Sequence, residues 1–269
     1  MATSNNIRVA VHGAAGKVGM EVLRAIAAEQ DMELVAAIDR IPQADAPTLP
    51  VHVPYYSVLT DAITAGKPDV IVDFTNAEAS LPMARVALAE GVRLVVGSTG
   101  WTEDQLDYLS ALCDEHKSAG VVAPNFALGA VLLTYLAGLV APYFEYVDVS
   151  EEHHEAKIDA PSGTAMGIAK AIHEGRGGDM TRQMPTREPL TGTRGGDYHG
   201  ISVHSSRMPG RMAHHQVTFG TAGQTLTLRH DTTNRECYMP GVLMAVRKVM
   251  DMQGLTVGLE KILDFGPAK

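Results

Sequence analysis

The feature that most constrains this fold is a run of three glycines set between a strand and a helix. Ile7 to Val11 is continuously apolar, His12 leads into Gly13-Ala-Ala-Gly16-Lys-Val-Gly19, and Val18, Val22, Ala25 and Ile26 then recur at i, i+4, i+7 and i+8. A chain that passes from a buried strand through a glycine turn into an amphipathic helix must place the next strand parallel to the first. Leu34 to Ile38 supplies it, ending at Asp39. The unit repeats as a strand over Val70 to Phe74, a helix from Asn76 to about Glu90, a strand over Leu94 to Val96, a helix from Thr102 and a strand over Val121 to Ala123. Thr102 with Gln105 has the form of a capping box, and Glu103 and Asp104 suit the positive end of that helix. Alternation of this kind implies a parallel sheet covered on both faces.

Glycines at such a turn let the backbone approach a pyrophosphate, whose charge the free N–H groups of the helix start favour. The spacing Gly13-x-x-Gly16-x-x-Gly19 differs from the commonest dinucleotide fingerprint, so the weight falls on context. Asp39, 20 residues beyond Gly19 at the end of the second strand, is placed to accept from ribose hydroxyls. Arg40 beside it points the other way: it is either a partner for a 2'-phosphate or a solvated loop cation. The expected cofactor is therefore NADH, NADPH or either. Gly97-Ser98-Thr99-Gly100 and Ala123-Pro124-Asn125-Phe126 each follow a parallel strand, where open α/β sheets bind their ligands, and they are candidates for the nicotinamide side.

The pattern changes near residue 126. An apolar helix over Leu128 to Val140 leads to a strand over Tyr146 to Glu151, and beyond Lys170 the chain reads as loop-rich, with Gly-Arg-Gly-Gly at 175–178. Ile201 to Ser205, Gln216 to Phe219 and Thr225 to Arg229 read as strands, the last two joined as a hairpin. A final amphipathic helix over Val242 to Met252 is expected to return to the first domain. The expectation is an α/β chain. A Rossmann-type dinucleotide-binding domain with a parallel sheet occupies 1–126 and is completed by 235–269. An α+β domain with a mixed sheet occupies 127–234.

The most unusual stretch is Glu151-Glu-His153-His154-Glu-Ala-Lys157-Ile-Asp-Ala-Pro161-Ser-Gly163-Thr164-Ala165. Adjacent imidazoles and a nearby lysine supply proton donors and cations, and Pro-Ser-Gly-Thr starts a helix whose first N–H groups suit a carboxylate. With the glycine turn, Gly97-Ser-Thr-Gly-Trp101, Ala123-Pro-Asn-Phe126, and the region from Phe219-Gly-Thr to Met239-Pro-Gly-Val242, this segment closely resembles the 4-hydroxy-tetrahydrodipicolinate (dihydrodipicolinate) reductase family over essentially the whole chain. The resemblance implies the reduction, with loss of water, of a small cyclic dicarboxylate on the diaminopimelate route to lysine. It implies His153 as proton donor and acceptor, Lys157 as second proton donor, and His154, Gly163 and Thr164 as substrate-binding positions. Cofactor contacts would come from Gly13, Ala14, Ala15, Gly16, Lys17 and Val18, from Asp39 and Arg40, from Gly97, Ser98 and Thr99, and from Ala123, Pro124, Asn125 and Phe126. A homotetramer built through the C-terminal sheet is implied as well.

Other classes fit less well. The 11 histidines invite a metal enzyme, yet no His-Glu-x-x-His or equivalent spacing occurs, and no metal is expected. A nucleotide sensor without catalysis leaves the His-His-x-x-Lys segment unexplained, and another NAD(P)-dependent reductase of a different dicarboxylate is the nearest alternative. Neither nucleic acid nor membrane is an expected partner: net charge is -9, and no stretch approaches the ~18 apolar residues of a membrane span. Cys113 and Cys237 are too few for a disulfide framework. With the polar opening Met-Ala-Thr-Ser-Asn-Asn they suggest a cytoplasmic protein. The 13 scattered methionines read as core filler and Trp101 as packing at the sheet edge. The acidic total conceals a basic stretch over 176–215, where Arg176, Arg182, Arg187, Arg194, Arg207 and Arg211 face Asp179, Glu188 and Asp197.

Overall fold

The structure is a computed structural model that describes residues 6–263. The polar opening stretch lies almost wholly outside those residues. The chain divides into two compact units, one running to Phe126 and resuming at Tyr238, the other spanning Ala127–Cys237.

Among the described residues of the first unit, β1 (Ile7–His12), β2 (Met32–Ile38), β3 (Tyr55–Tyr56), β4 (Val70–Asp73), β5 (Arg93–Val96), β6 (Ala119–Val122) and β12 (Gly254–Val257) form one sheet in the order β12-β6-β5-β4-β1-β2-β3. Every pairing is parallel. Between them run α1 (Lys17–Ala28), α2 (Leu59–Gly66), α3 (Ala77–Ala89) and α4 (Glu103–Glu115), with α7 (Met239–Val249) preceding β12. The strands are short and apolar because both faces are covered. Val70–Asp73 and Ala119–Val122 are buried throughout, and the core gathers Ile71, Leu94, Val96, Leu88, Leu109 and Cys113. The strand order reverses between β1 and β4, so the turn after β1 sits at the topological switch point.

In the second unit, β7 (Tyr146–His153), β8 (Gly196–Tyr198), β9 (Ile201–Arg207), β10 (Ala213–Thr221) and β11 (Gln224–Thr232) pair in the order β11-β10-β7-β9-β8. Only β7 with β9 is parallel, so the sheet is mixed. Two helices, α5 (Leu128–Val140) and α6 (Gly163–Arg176), accompany it. Burial alternates along β7, and the inward Val147 and Val149 pack with Val203, Val217, Phe219 and the Ala165, Ile168 and Ile172 face of α6.

Several expectations shift. The loop-rich stretch expected beyond Lys170 begins only at Gly177 and runs to β8, because α6 continues to Arg176 and stops at Gly177 in the left-handed region, the Gly177 N–H donating to His173 O at 3.0 Å. Gly175 is inside that helix for packing: a Cβ there would lie 2.1 Å from the Gly138 carbonyl oxygen of α5. The last helix begins at Met239, earlier than Val242, because Pro240 is compatible with a first helical turn. β3 and β12 are too short to carry a periodic signal, and α2, not among the expected helices, packs Leu59, Ala62, Ile63 and Gly66 at i, i+3, i+4 and i+7. Trp101 packs against the main core of the first unit, and its Nε1 donates to Ser98 O and Oγ at 3.1 Å. The capping box at Thr102 is formed on both sides. Both cysteines are free, and burial pushes the Cys113 thiol up to about 11. No helix among the described residues is long and apolar enough to cross a membrane.

Candidate active site

The first unit offers a backbone surface. Gly13 has φ +78°, a left-handed conformation that favours glycine, and a Cβ there would press on Thr75 Cγ2 at 2.8 Å. At Gly19 a Cβ would lie 2.1 Å from the Gly13 carbonyl oxygen, so α1 can start this close to β1 only with glycine. Gly16 occupies the N-cap of α1 and supplies no capping side chain, which leaves the first amides of the helix, at Lys17 and Val18, for an anion. Ala14 is buried beneath the turn. Asp39 follows β2 and braces the same turn, accepting from Ala15 N at 3.0 Å and from Ile41 N at 3.2 Å. Carboxylate oxygens retain acceptor capacity beyond these two bonds. Arg40 is exposed.

Beside the turn, at the ends of β4 and β5, lies a buried polar chain. Asp73 accepts from Ser80 and from Thr75 (2.8 Å) and pairs with His12 Nδ1 (2.7 Å), and Ser80 meets Ser98 Oγ at 2.7 Å. Ser98 is thereby fixed while Thr99 is exposed. Gly97 is glycine because a Cβ would enter the Phe74 ring at 2.2 Å. Phe74 in turn packs on Phe126, ring centroids 5.6 Å apart. Phe126 is 1% exposed, so among the expected cofactor positions it offers backbone and no side-chain surface, whereas Pro124 is exposed and Asn125 half-buried. A cradle closed to any Cβ, an uncapped helix start and an acid after β2 together fit a dinucleotide.

The second unit offers side chains. Its inner sheet face changes from apolar to polar toward the end of β7. Val149, Val203 and Val217 share that face with Glu151, Ser205 and His215, and then with His153 and Arg207. Period 2 along β7 puts Glu151 and His153 on the inward side, and both are buried. Glu151 receives both terminal nitrogens of Arg207 (3.0 and 2.8 Å), the backbone N–H of Ser162 (3.3 Å) and His153 Nδ1. Burial alone would raise the Glu151 carboxyl. Hydrogen bonds from Arg207, Ser205 and His153 outweigh it and hold the group below the usual carboxylate value. For His153 burial prevails over the Glu151 bond, with the Lys157 and Arg207 charges adding to it, and its pKa is lowered.

Ser162 caps α6, accepting from Ala165 N at 3.2 Å, and its hydroxyl also meets His215 Nε2 at 3.2 Å. His215 stands edge-on to His153 with centroids 5.4 Å apart; burial first, then the neighbouring His153, push its pKa down to about 4. Gly163 is exposed at the helix start, where a Cβ would meet nothing within 4 Å, and Thr164 is half-buried. Lys157 lies in the loop after β7, its Nζ 2.6 Å from Asp159 Oδ1, and His154 is exposed.

The structure thus brings His153, Lys157, Gly163 and Thr164 to one end of the second sheet. It also shows what sequence reasoning missed: Glu151, Arg207, Ser162 and His215 support that end. Alternation along 146–153 could have found Glu151, whereas Arg207 and His215 arrive by strand register. Most arginines of the basic stretch are engaged elsewhere. Arg194 pairs with Asp148 (3.3 Å), Arg182 with Asp197 (3.3 Å), Arg211 with Glu152 (2.7 Å), and Arg176 donates to Phe144 O (2.6 Å). His173, Asp179 and His199 also converge: the two imidazoles stack at 3.9 Å and 22°, and their Nδ1 atoms lie 3.7 and 3.0 Å from Asp179 Oδ1.

Comparisons with known proteins agree with this fold. Residues 7–126 match the model for the N-terminus of dihydrodipicolinate reductase, and residues 129–263 the model for its C-terminus. A 4-hydroxy-tetrahydrodipicolinate reductase of Dehalococcoides mccartyi is 43% identical over 260 residues, covering 96% of this chain and 98% of that protein. One from Moorella thermoacetica is 43% identical over 264 residues, with 96% and 98% covered. The structure is similar to a dipicolinate-bound dihydrodipicolinate reductase from Paenisporosarcina sp. TG-14, with TM-score 0.88, 41% identity, and 96% and 100% of the two chains covered. On both halves of its length and on its fold, this chain belongs to the dihydrodipicolinate reductase family.

Proposed function

We propose that the chain reduces 4-hydroxy-2,3,4,5-tetrahydrodipicolinate to 2,3,4,5-tetrahydrodipicolinate, with loss of water and oxidation of NADH or NADPH, on the diaminopimelate route to lysine. One observation carries the chemistry: a buried imidazole, a lysine cation and an open helix start share the end of one sheet. When bound, the reduced nicotinamide supplies the hydride. Gly13 to Val18, Asp39, Arg40, Gly97 to Thr99 and Ala123 to Asn125, with the backbone of Phe126, are the groups that would hold it. The first amides of α6, at Gly163 and Thr164, suit one substrate carboxylate, and exposed His154 can serve another.

Protonation of the carbon next to the hydride-accepting position falls to His153. Its Nδ1 is engaged with Glu151, so Nε2 is the nitrogen that can take up and give a proton. Burial holds the resting imidazole neutral more readily than usual, and a bound dianion favours its charged form. Lys157 supplies charge where it develops; its pairing with Asp159 is half-exposed and readily exchanged for a substrate carboxylate. Following NADH and NADPH consumption with this substrate, and identifying the product, tests the reading. Turnover of an unrelated dicarboxylate in its place would overturn it.

The second unit also supports a homotetramer. Its outward sheet face carries the half-exposed Asp148, Ser150, Gln216 and Thr218, and α5 presents Leu132, Leu136 and Leu139 with Tyr143 beyond it. Light scattering coupled to size exclusion decides the assembly. Two free cysteines accord with a reducing cytoplasm.

A further inference from the structure

Resting on the reading of His153 above, we infer that Glu151, clamped by Arg207, is a positioning residue that keeps His153 Nδ1 protonated and so confines proton exchange to Nε2. Glu151 has no exposed side-chain surface, and its neighbours account for both oxygens. One accepts from Arg207 Nη2 and Ser162 N, the other from Arg207 Nη1 and His153 Nδ1. An ionised carboxylate is acceptor-only, so the nitrogen facing it must carry a hydrogen. Arg207 reinforces this: its planar fork fixes the carboxylate's plane, and its further bond to the Asp159 carbonyl ties that plane to the loop bearing Lys157. The imidazole is therefore held in one tautomer and one orientation from β7, β9 and the start of α6 at once. When the Nε2–H bond breaks and a substrate C–H bond forms, the electron pair returns to Nε2, and Nδ1–H stays with Glu151 throughout.

Glu151→Gln separates this role from packing. An amide fills the same space but offers one oxygen. At the Oε1 position its NH2 group would meet two obligate donors, Arg207 Nη2 and Ser162 N–H; at the Oε2 position it meets Arg207 Nη1 and His153 Nδ1, which can switch to an acceptor, so the NH2 takes that position, donates to Nδ1, and the proton moves to Nε2. Nitrogen NMR of the labelled full-length variant, read at neutral pH, should show His153 losing its single Nδ1–H form. In kinetics, kcat should fall about 100-fold with KM within about threefold. The declining limb of the pH profile should move to lower pH, because His153 then faces only Lys157, Arg207 and the neutral His215 without the carboxylate. If Glu151→Gln does not fold, Arg207→Lys keeps a cation but removes the fork, and a smaller loss of kcat, about tenfold, is expected in the same direction. An unchanged His153 tautomer, or a wild-type kcat and pH limb in a folded variant, would overturn the positioning role. Wild-type turnover in His153→Ala would instead remove the catalytic reading while leaving the tautomer measurement to decide Glu151 by itself.

Discussion

The glycine turn after β1 and the polar end of the second sheet both present groups to a small molecule, yet they are made of different material. At the turn the working surface is backbone, and side chains matter by their absence: a Cβ at Gly13, Gly16 or Gly19 would press on the chain's own atoms, at Thr75 or the Gly13 carbonyl. At the sheet end the working surface is side chains, and it depends on β7, β9 and β10 being paired in one register, with Glu151 opposite both Ser205 and His215. A backbone site is encoded locally, within seven residues of chain, whereas a side-chain site is encoded across more than 60. The first should therefore fail through geometry and the second through chemistry.

The strongest separation is expected from His153→Ala and Lys157→Ala. Each should lose about 100- to 10,000-fold in kcat while NADH binding, followed by fluorescence titration, stays near wild type. A comparable loss of NADH affinity would show that the two regions are not functionally separable. Gly19→Ala is the converse: forcing a Cβ into the Gly13 carbonyl should cost about 2 to 4 kcal/mol, and NADH affinity should fall with the melting temperature. Unchanged affinity and melting would mean that the turn relaxes freely.

A third effect belongs to the buried imidazoles of the second unit. His215 ordinarily titrates near 6.5 but is held at about 4 in the fold. Between those values the unfolded chain takes up the proton first, so stability is lost as pH falls through this window, by up to about 3 kcal/mol. His215→Gln should narrow the difference between urea midpoints at pH 7 and pH 5. His153 and His230, shifted the same way by burial, keep it from vanishing. An unchanged difference would place the acid sensitivity elsewhere. The smallest effect is at Thr102, where removing half of the capping box with Thr102→Ala should cost about 1 kcal/mol and leave kcat untouched.

Much of this was legible before any coordinates. The strands expected over Leu34–Ile38, Leu94–Val96 and Val121–Ala123, each within a residue of its observed end, the helix over Leu128–Val140, the hairpin before Arg229 and the cap at Thr102 follow from periodicity and local hydrogen-bond chemistry, which act over a few residues. Gly175 misled because glycine in a helix reads as a break, and the reason it is tolerated, the crossing at Gly138, is a contact across 37 positions. β12 is invisible alone because four residues become a strand only beside β6.

By itself, then, the sequence determined the alternating sheet and the glycine turn, since each rests on spacing along the chain, and its resemblance to the family named the imidazole and the lysine proposed to react. Only the tertiary structure decided what surrounds them. Which arginine serves Glu151, which nitrogen of His153 is left exposed to exchange, and why Phe126 is core all follow from register and burial. Those are set by how distant strands pair and how much apolar surface they remove from water.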